Sequence, residues 1–73
     1  MAEVTVRSEL NAVVWKIEVM AGAAVKAGDS IIILEAMKME IPVAAPRAGT
    51  VKTLLVEEKQ QVAEGQPLAI LQF

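Results

Sequence analysis

Displaced by 37 positions, the sequence aligns with itself without a gap. Glu3 falls on Glu40, Val6 on Val43, Val14 on Val51 and Val19 on Val56; Val25 falls on Val62, Gly28 on Gly65, Ile33 on Ile70 and Leu34 on Leu71. Conservative matches join them: Val4 with Ile41, Ile17 with Leu54 and Ile31 with Leu68. An internal repeat of this kind means one structural unit used twice. The half repeats run 2–36 and 39–73 within one domain, 1–73, and only Met37 and Lys38 lie between them.

Each half reads as short strands. Val4-Thr5-Val6 alternates apolar and polar, and Val14 to Val19 is rich in β-branched residues. The apolar positions 14, 17 and 19, repeated at 51, 54 and 56, step by three and then two. That breaks the period of a flat strand and predicts a β-bulge near Trp15 and Lys52. Ile31-Ile32-Ile33-Leu34 is a continuous apolar run, expected to be a strand buried on both sides. Gly28-Asp29 and Gly65-Gln66-Pro67 mark turns before the last strand of each half. No segment keeps helical periodicity for three turns. The expected fold is all-β: two halves packed face to face as a small sandwich or flattened barrel, because neither can bury its own apolar face. A pseudo-twofold relation maps the central link onto the termini. It predicts Met37-Lys38 at one end of the molecule and Met1 and Phe73 together at the other.

Several function classes are disfavoured. At 73 residues a domain buries only about 60% of its unfolded surface, which leaves little for a deep catalytic pocket. There is no Cys and no His, so thiol chemistry, thiolate metal sites and the commonest general base are missing. The seven basic residues are scattered among nine acidic ones, and Trp15 and Phe73 are the only aromatics. No nucleic-acid footprint emerges, since that needs clustered positive charge and stacking side chains. No apolar run reaches the length of a membrane span. The N-terminal residues lack a basic segment followed by an apolar block, so a cytoplasmic location is expected.

Glu35-Ala36-Met37-Lys38-Met39-Glu40 is the informative stretch. Its residues are good helix formers, yet it lies between an aliphatic strand and Ile41-Pro42-Val43, and Pro42 biases Ile41 towards extended backbone. The simplest arrangement is a tight hairpin with Met37 and Lys38 at its centre. Such turns favour Gly or Asn. A local rule broken at one turn points to function.

Met37-Lys38-Met39, with Glu35-Ala36 before it and Glu40 after it, resembles the attachment motif of biotinyl domains, the carboxyl carriers of biotin-dependent carboxylases, decarboxylases and transcarboxylases. The resemblance extends to Ala45-Pro46, Ala48-Gly49-Thr50-Val51 and Val62 through Leu68. At this length the chain looks most like the stand-alone biotin/lipoyl attachment proteins. The resemblance implies two four-stranded antiparallel sheets related by a quasi-twofold (a barrel-sandwich hybrid), with the modified lysine on a hairpin. It implies that Lys38 carries covalent biotin, that the flexible Met37 and Met39 are read by the ligase and partner active sites, and that Glu35 and Ala36 belong to the same site. From the residues alone, Met37 and Met39 also suit core gap fillers. Glu35 and Glu40 read as solvent-facing hairpin residues, with Glu35 open to helping the ligase place the lysine. The implied partners are a biotin protein ligase, a biotin carboxylase and a carboxyltransferase, served by a carrier that is not itself an enzyme. A lysine amine is protonated at neutral pH, so the ligase has to promote deprotonation before the amine attacks biotinyl-AMP. Lipoate is the alternative cofactor, although lipoyl lysines usually follow Asp. An unmodified adaptor of the same fold is a further alternative.

The chain departs from the family pattern in places. Ser8-Glu9-Leu10-Asn11-Ala12 replaces a Pro- and Gly-containing turn, and Ala12 matches Gly49 in the repeat. Lys59 stands where the first half has Gly22. The gapless repeat leaves no space for the thumb-like insertion of some carriers, so few contacts between biotin and its own domain are expected. Trp15 reads as a packing residue.

Overall fold

The computed structural model describes residues 1–73 and contains no helix. Its eight strands are β1 (Glu3–Arg7), β2 (Ala12–Ile17), β3 (Ala24–Val25), β4 (Ser30–Ala36), β5 (Met39–Ala44), β6 (Gly49–Leu54), β7 (Gln61–Val62) and β8 (Pro67–Gln72). Adding 37 to the bounds of β2 and β3 gives those of β6 and β7. The strands form two antiparallel sheets, ordered β1-β8-β6-β3 and β5-β4-β2-β7. The seam between the edge strands β1 and β5 stays open as a groove of about 420 Å³, so this is a flattened sandwich and not a closed barrel.

The halves do not pack as two separate layers. β1 and β3 of the first half share a sheet with β6 and β8 of the second; β2 and β4 share the other with β5 and β7. This corrects the face-to-face expectation. A half keeps only one β-pairing of its own strands in each case, β2 with β4 and β6 with β8. Its remaining edges are completed by the other half, which satisfies backbone donors and acceptors that two-stranded ribbons would leave open.

The core is duplicated accordingly. One cluster contains Val6, Val25, Ile31, Ala45, Val51, Ala69 and Leu71; the other contains Val14, Ile32, Leu34, Val56, Val62 and Leu68. Most members are exchanged by the 37-residue displacement. Register shifts fall between Val14 and Lys16 and between Val51 and Thr53, which places the bulges at Trp15 and Lys52 as expected. Trp15 itself is 48% exposed and belongs to neither cluster, so it is not the packing residue that the sequence suggested. The Ile31–Leu34 run is also corrected. Ile31, Ile32 and Leu34 are fully buried, but Ile33 is only half-buried because nothing covers the outer face of the sheet. Two consecutive buried isoleucines are possible because the β4–β5 register shifts between Ser30 and Ile32.

The turn that lacks the family's Pro and Gly closes another way. Ser8 occupies the repeat position of buried Ala45, and its hydroxyl donates to the Leu10 carbonyl at 2.6 Å. At the far end Ala2 and Phe73 exchange two backbone hydrogen bonds of 2.9 Å. The molecule measures 36 × 17 × 17 Å, with these termini at one end of the long axis.

Candidate functional site

At the opposite end, β4 and β5 form a two-residue hairpin. The final pairs are Glu35 with Glu40 and Ala36 with Met39, and the connecting residues Met37 and Lys38 have φ of 51° and 64°. Positive φ at both central residues is the primed turn whose twist suits a tight hairpin. Neither residue is glycine, so the turn costs about 1–2 kcal/mol at each position. Six residue pairs along β4 and β5 hold it in place, and β4 is anchored on its other side by β2 and beneath by Ile32 and Leu34.

Strand anchoring decides what the tip displays. Met37 is 94% exposed and Met39 64%, so neither fills a core gap. Lys38 is exposed, and its amine has no hydrogen bond or ion pair; the one salt bridge in the protein joins Lys52 to Glu3 elsewhere. Glu35 is exposed and Ala36 half-buried. Glu35 and Glu40 face each other across the strands, two like charges beside the lysine with no partner of their own. No set of three acidic side chains is close enough to hold a metal ion. The structure thus gathers all five residues singled out from sequence at one protruding turn.

Sequence reasoning missed what lies beside that turn. A groove runs from Ala36 and Lys38 past Asn11 and Ala12 to Gln61, Val62 and Gln66. Gln61 and Gln66 are far from Lys38 along the chain. Only the pairing of β7 with β2 brings them near, and no local pattern signals it.

Comparison with known proteins covers nearly the whole chain. The model of the family described as "Biotin-requiring enzyme" matches residues 2–71. The chain belongs to the biotin/lipoyl attachment family. Among its members, the "Biotin/lipoyl attachment protein" of Bacillus subtilis is 42% identical over 64 residues, which cover 88% of each chain. Pyruvate carboxylase of Aspergillus niger is 46% identical over 63 residues, but the biotin/lipoyl domain spans only 5% of it. Of the solved structures, the Kluyveromyces lactis urea carboxylase matches 97% of this chain with a TM-score of 0.91 and 34% identity. A single-chain, multi-domain long-chain acyl-CoA carboxylase matches 93% with a TM-score of 0.88 and 37% identity. This attachment domain covers 6% and 7% of those two chains. Biotin is the cofactor that the family description names, and the fold is that of a carrier module within carboxylases.

The residues present fit such a cofactor. Covalent attachment needs a primary amine that a second protein can reach, and Lys38 offers one that is exposed, uncommitted and held on a stiff turn.

Proposed function

We propose that Lys38 is the residue to which biotin is attached, and that the chain carries carboxyl groups between a biotin carboxylase and a carboxyltransferase without catalysing either step. The observation that carries this reading is the free Lys38 amine at the apex of a strained, protruding hairpin in a biotin/lipoyl attachment domain.

The chain contributes position. Lys38 acts once as a nucleophile: its deprotonated amine attacks the acyl carbon of biotinyl-AMP in the ligase, the acyl–phosphate bond breaks, AMP leaves, and an amide remains. When bound, biotin supplies a ureido nitrogen that accepts and gives up a carboxyl group. The left-handed backbone at Met37 and Lys38 directs the arm off the end of the molecule. Exposed Met37 and Met39 offer flexible apolar side chains to whichever active site receives the tip. Glu35 and Glu40 surround the lysine with negative charge, which a ligase can read by complementary basic groups. Tethering holds the cofactor at an effective concentration of the order of millimolar for its partners.

The test is co-expression with a biotin protein ligase, followed by intact mass and peptide mapping. One biotinyl adduct on Lys38 is expected, and the Lys38→Arg variant should fold normally and stay unmodified. A lipoyl-sized adduct would replace biotin by the alternative cofactor. A bare Lys38 beside an active ligase would favour the unmodified adaptor. Turnover of a substrate by the purified carrier alone would contradict the non-catalytic role.

A further inference from the structure

The β4–β5 hairpin overhangs its neighbours. Val13 pairs with Glu35 and β2 starts at Ala12, level with Ala36, so the turn residues Met37 and Lys38 project past the end of the sheet. The turn joining β7 to β8 forms a second wall, and the β1–β2 turn lies between them. The result is a groove of about 690 Å³ with Lys38 on its rim. Resting on the reading of Lys38 as the biotinylated residue, we propose that this groove is a docking site for the biotinyl headgroup of the chain's own arm.

Reach allows it. Glu35, Val13 and Gln61 form one row across adjacent strands. Two strand spacings put Gln61 roughly 10 Å across the sheet from Glu35. A biotinylated lysine has about eleven bonds between Cα and the bicyclic ring, each advancing about 1.2 Å, for a reach of roughly 13 Å.

The chemistry matches as well. A cyclic urea has two N–H donors and one carbonyl acceptor, which a primary carboxamide complements in both senses. Three carboxamides line the groove. The Asn11 oxygen accepts from the Glu64 N–H at 2.8 Å, and the Gln66 oxygen accepts from the Ala63 N–H at 3.0 Å. Both amides are thereby oriented, with their NH₂ groups unpartnered. Gln61 has no side-chain partner in the protein, so its oxygen is free to accept from a ureido N–H. Val13, half-buried between Glu35 and Gln61, and Ala36 give the aliphatic part of the ring an apolar floor.

The groove is built in advance. The Ser8 N–H donates to the Gln66 carbonyl at 2.9 Å, the Gly65 N–H donates to the Ser8 carbonyl at 2.7 Å, and the Arg7 guanidinium donates to the Gly65 carbonyl at 3.0 Å. These bonds fix the β1–β2 turn against the β7–β8 turn, so docking costs little reorganisation. The repeat supplies an internal control. At the termini end Phe73 stands at the position of Ala36, the Arg47 guanidinium lies 3.5 Å above its ring, and no matching cleft exists. The small Ala36 keeps the tip end open. The groove lies within the arm's reach and would give biotin a contact with its own domain, contrary to the few contacts that the missing thumb implied. At a millimolar effective concentration, a contact of millimolar strength is occupied about half of the time and still releases the arm to partners.

The experiment compares the apo chain with the chain modified on Lys38, as verified by intact mass, using NMR. Expected results are shifts in the side-chain amide signals of Gln61 and Gln66, and NOEs from the ureido N–H protons to the methyls of Ala36 and Ala63. Ala63→Phe fills the groove; it should abolish both signals and speed avidin capture about twofold. Fully modified Lys38 with perturbations confined to residues 36–40 and no such NOEs overturns the docking site while leaving the carrier reading intact. An unmodified Lys38 overturns both.

Discussion

Three non-glycine residues adopt left-handed backbone, and they do so for different reasons. Met37 and Lys38 carry the strain at the tip. Lys59, with φ of 74°, occupies the turn position that Gly22 fills in the first half with φ of 95°. The two N–H groups make equivalent bonds, Lys59 to the Val14 carbonyl and Gly22 to the Val51 carbonyl. Lys59→Gly should therefore stabilise the protein by about 1 kcal/mol, read as a higher urea midpoint with an unchanged slope. Charge acts at the other end. The Lys52 ammonium, hydrogen-bonded to Glu3, holds the Glu3 carboxyl below its ordinary range. Because the folded value is lowered, the pair's contribution is present above the unfolded carboxylate value and is lost as pH falls through the folded one. Both groups are open to solvent, so the effect is small. Glu3→Gln should lower the melting temperature slightly at pH 7 and leave it unchanged once the carboxyl is protonated. A deficit that persists at low pH would locate its cause outside the ion pair.

At the scale of elements, the hairpin is the instructive case. Glu35 to Glu40 is helix-forming by composition, yet all of it except the two turn residues is strand. Burial of Ile31, Ile32 and Leu34 fixes β4 as extended backbone, and the β5 ladder continues that state to the tip. Propensity is outweighed because one strand is committed on both edges. β4 and β8 are repeats of each other, and Leu34 and Leu71 are both fully buried, each in its own cluster. Leu34→Ala and Leu71→Ala should each cost about 2–5 kcal/mol. The two losses should agree to within about 1 kcal/mol by urea titration. A large inequality would mean that the two core clusters are not energetically equivalent.

For the whole molecule, the decisive feature is the exchange of strands between halves. Each sheet has two strands from either half, so neither half contains a complete sheet or a complete core cluster. The peptide 39–73 alone should be unfolded by circular dichroism, and the full chain should unfold in one cooperative transition. Structure in the isolated half, or two separate transitions, would contradict this account. The same exchange sets the geometry of delivery. β8 starts beside the tip at Pro67 and ends at Gln72 next to the termini, so the lysine and the chain ends lie at opposite poles of a body 36 Å long.

The sequence by itself determined the duplication, the bulges at Trp15 and Lys52, the turns at Gly28 and Gly65 and the placement of Lys38 between the halves. These are legible because apolar spacing, glycine positions and a break in turn chemistry are properties of contiguous residues. Only the tertiary structure decided that the halves interleave, that Ile33 and Trp15 look outward, and that Asn11, Gln61 and Gln66 meet beside the lysine. Those facts depend on which strand edge finds which, and backbone pairing carries almost no signature in the side chains of either partner alone.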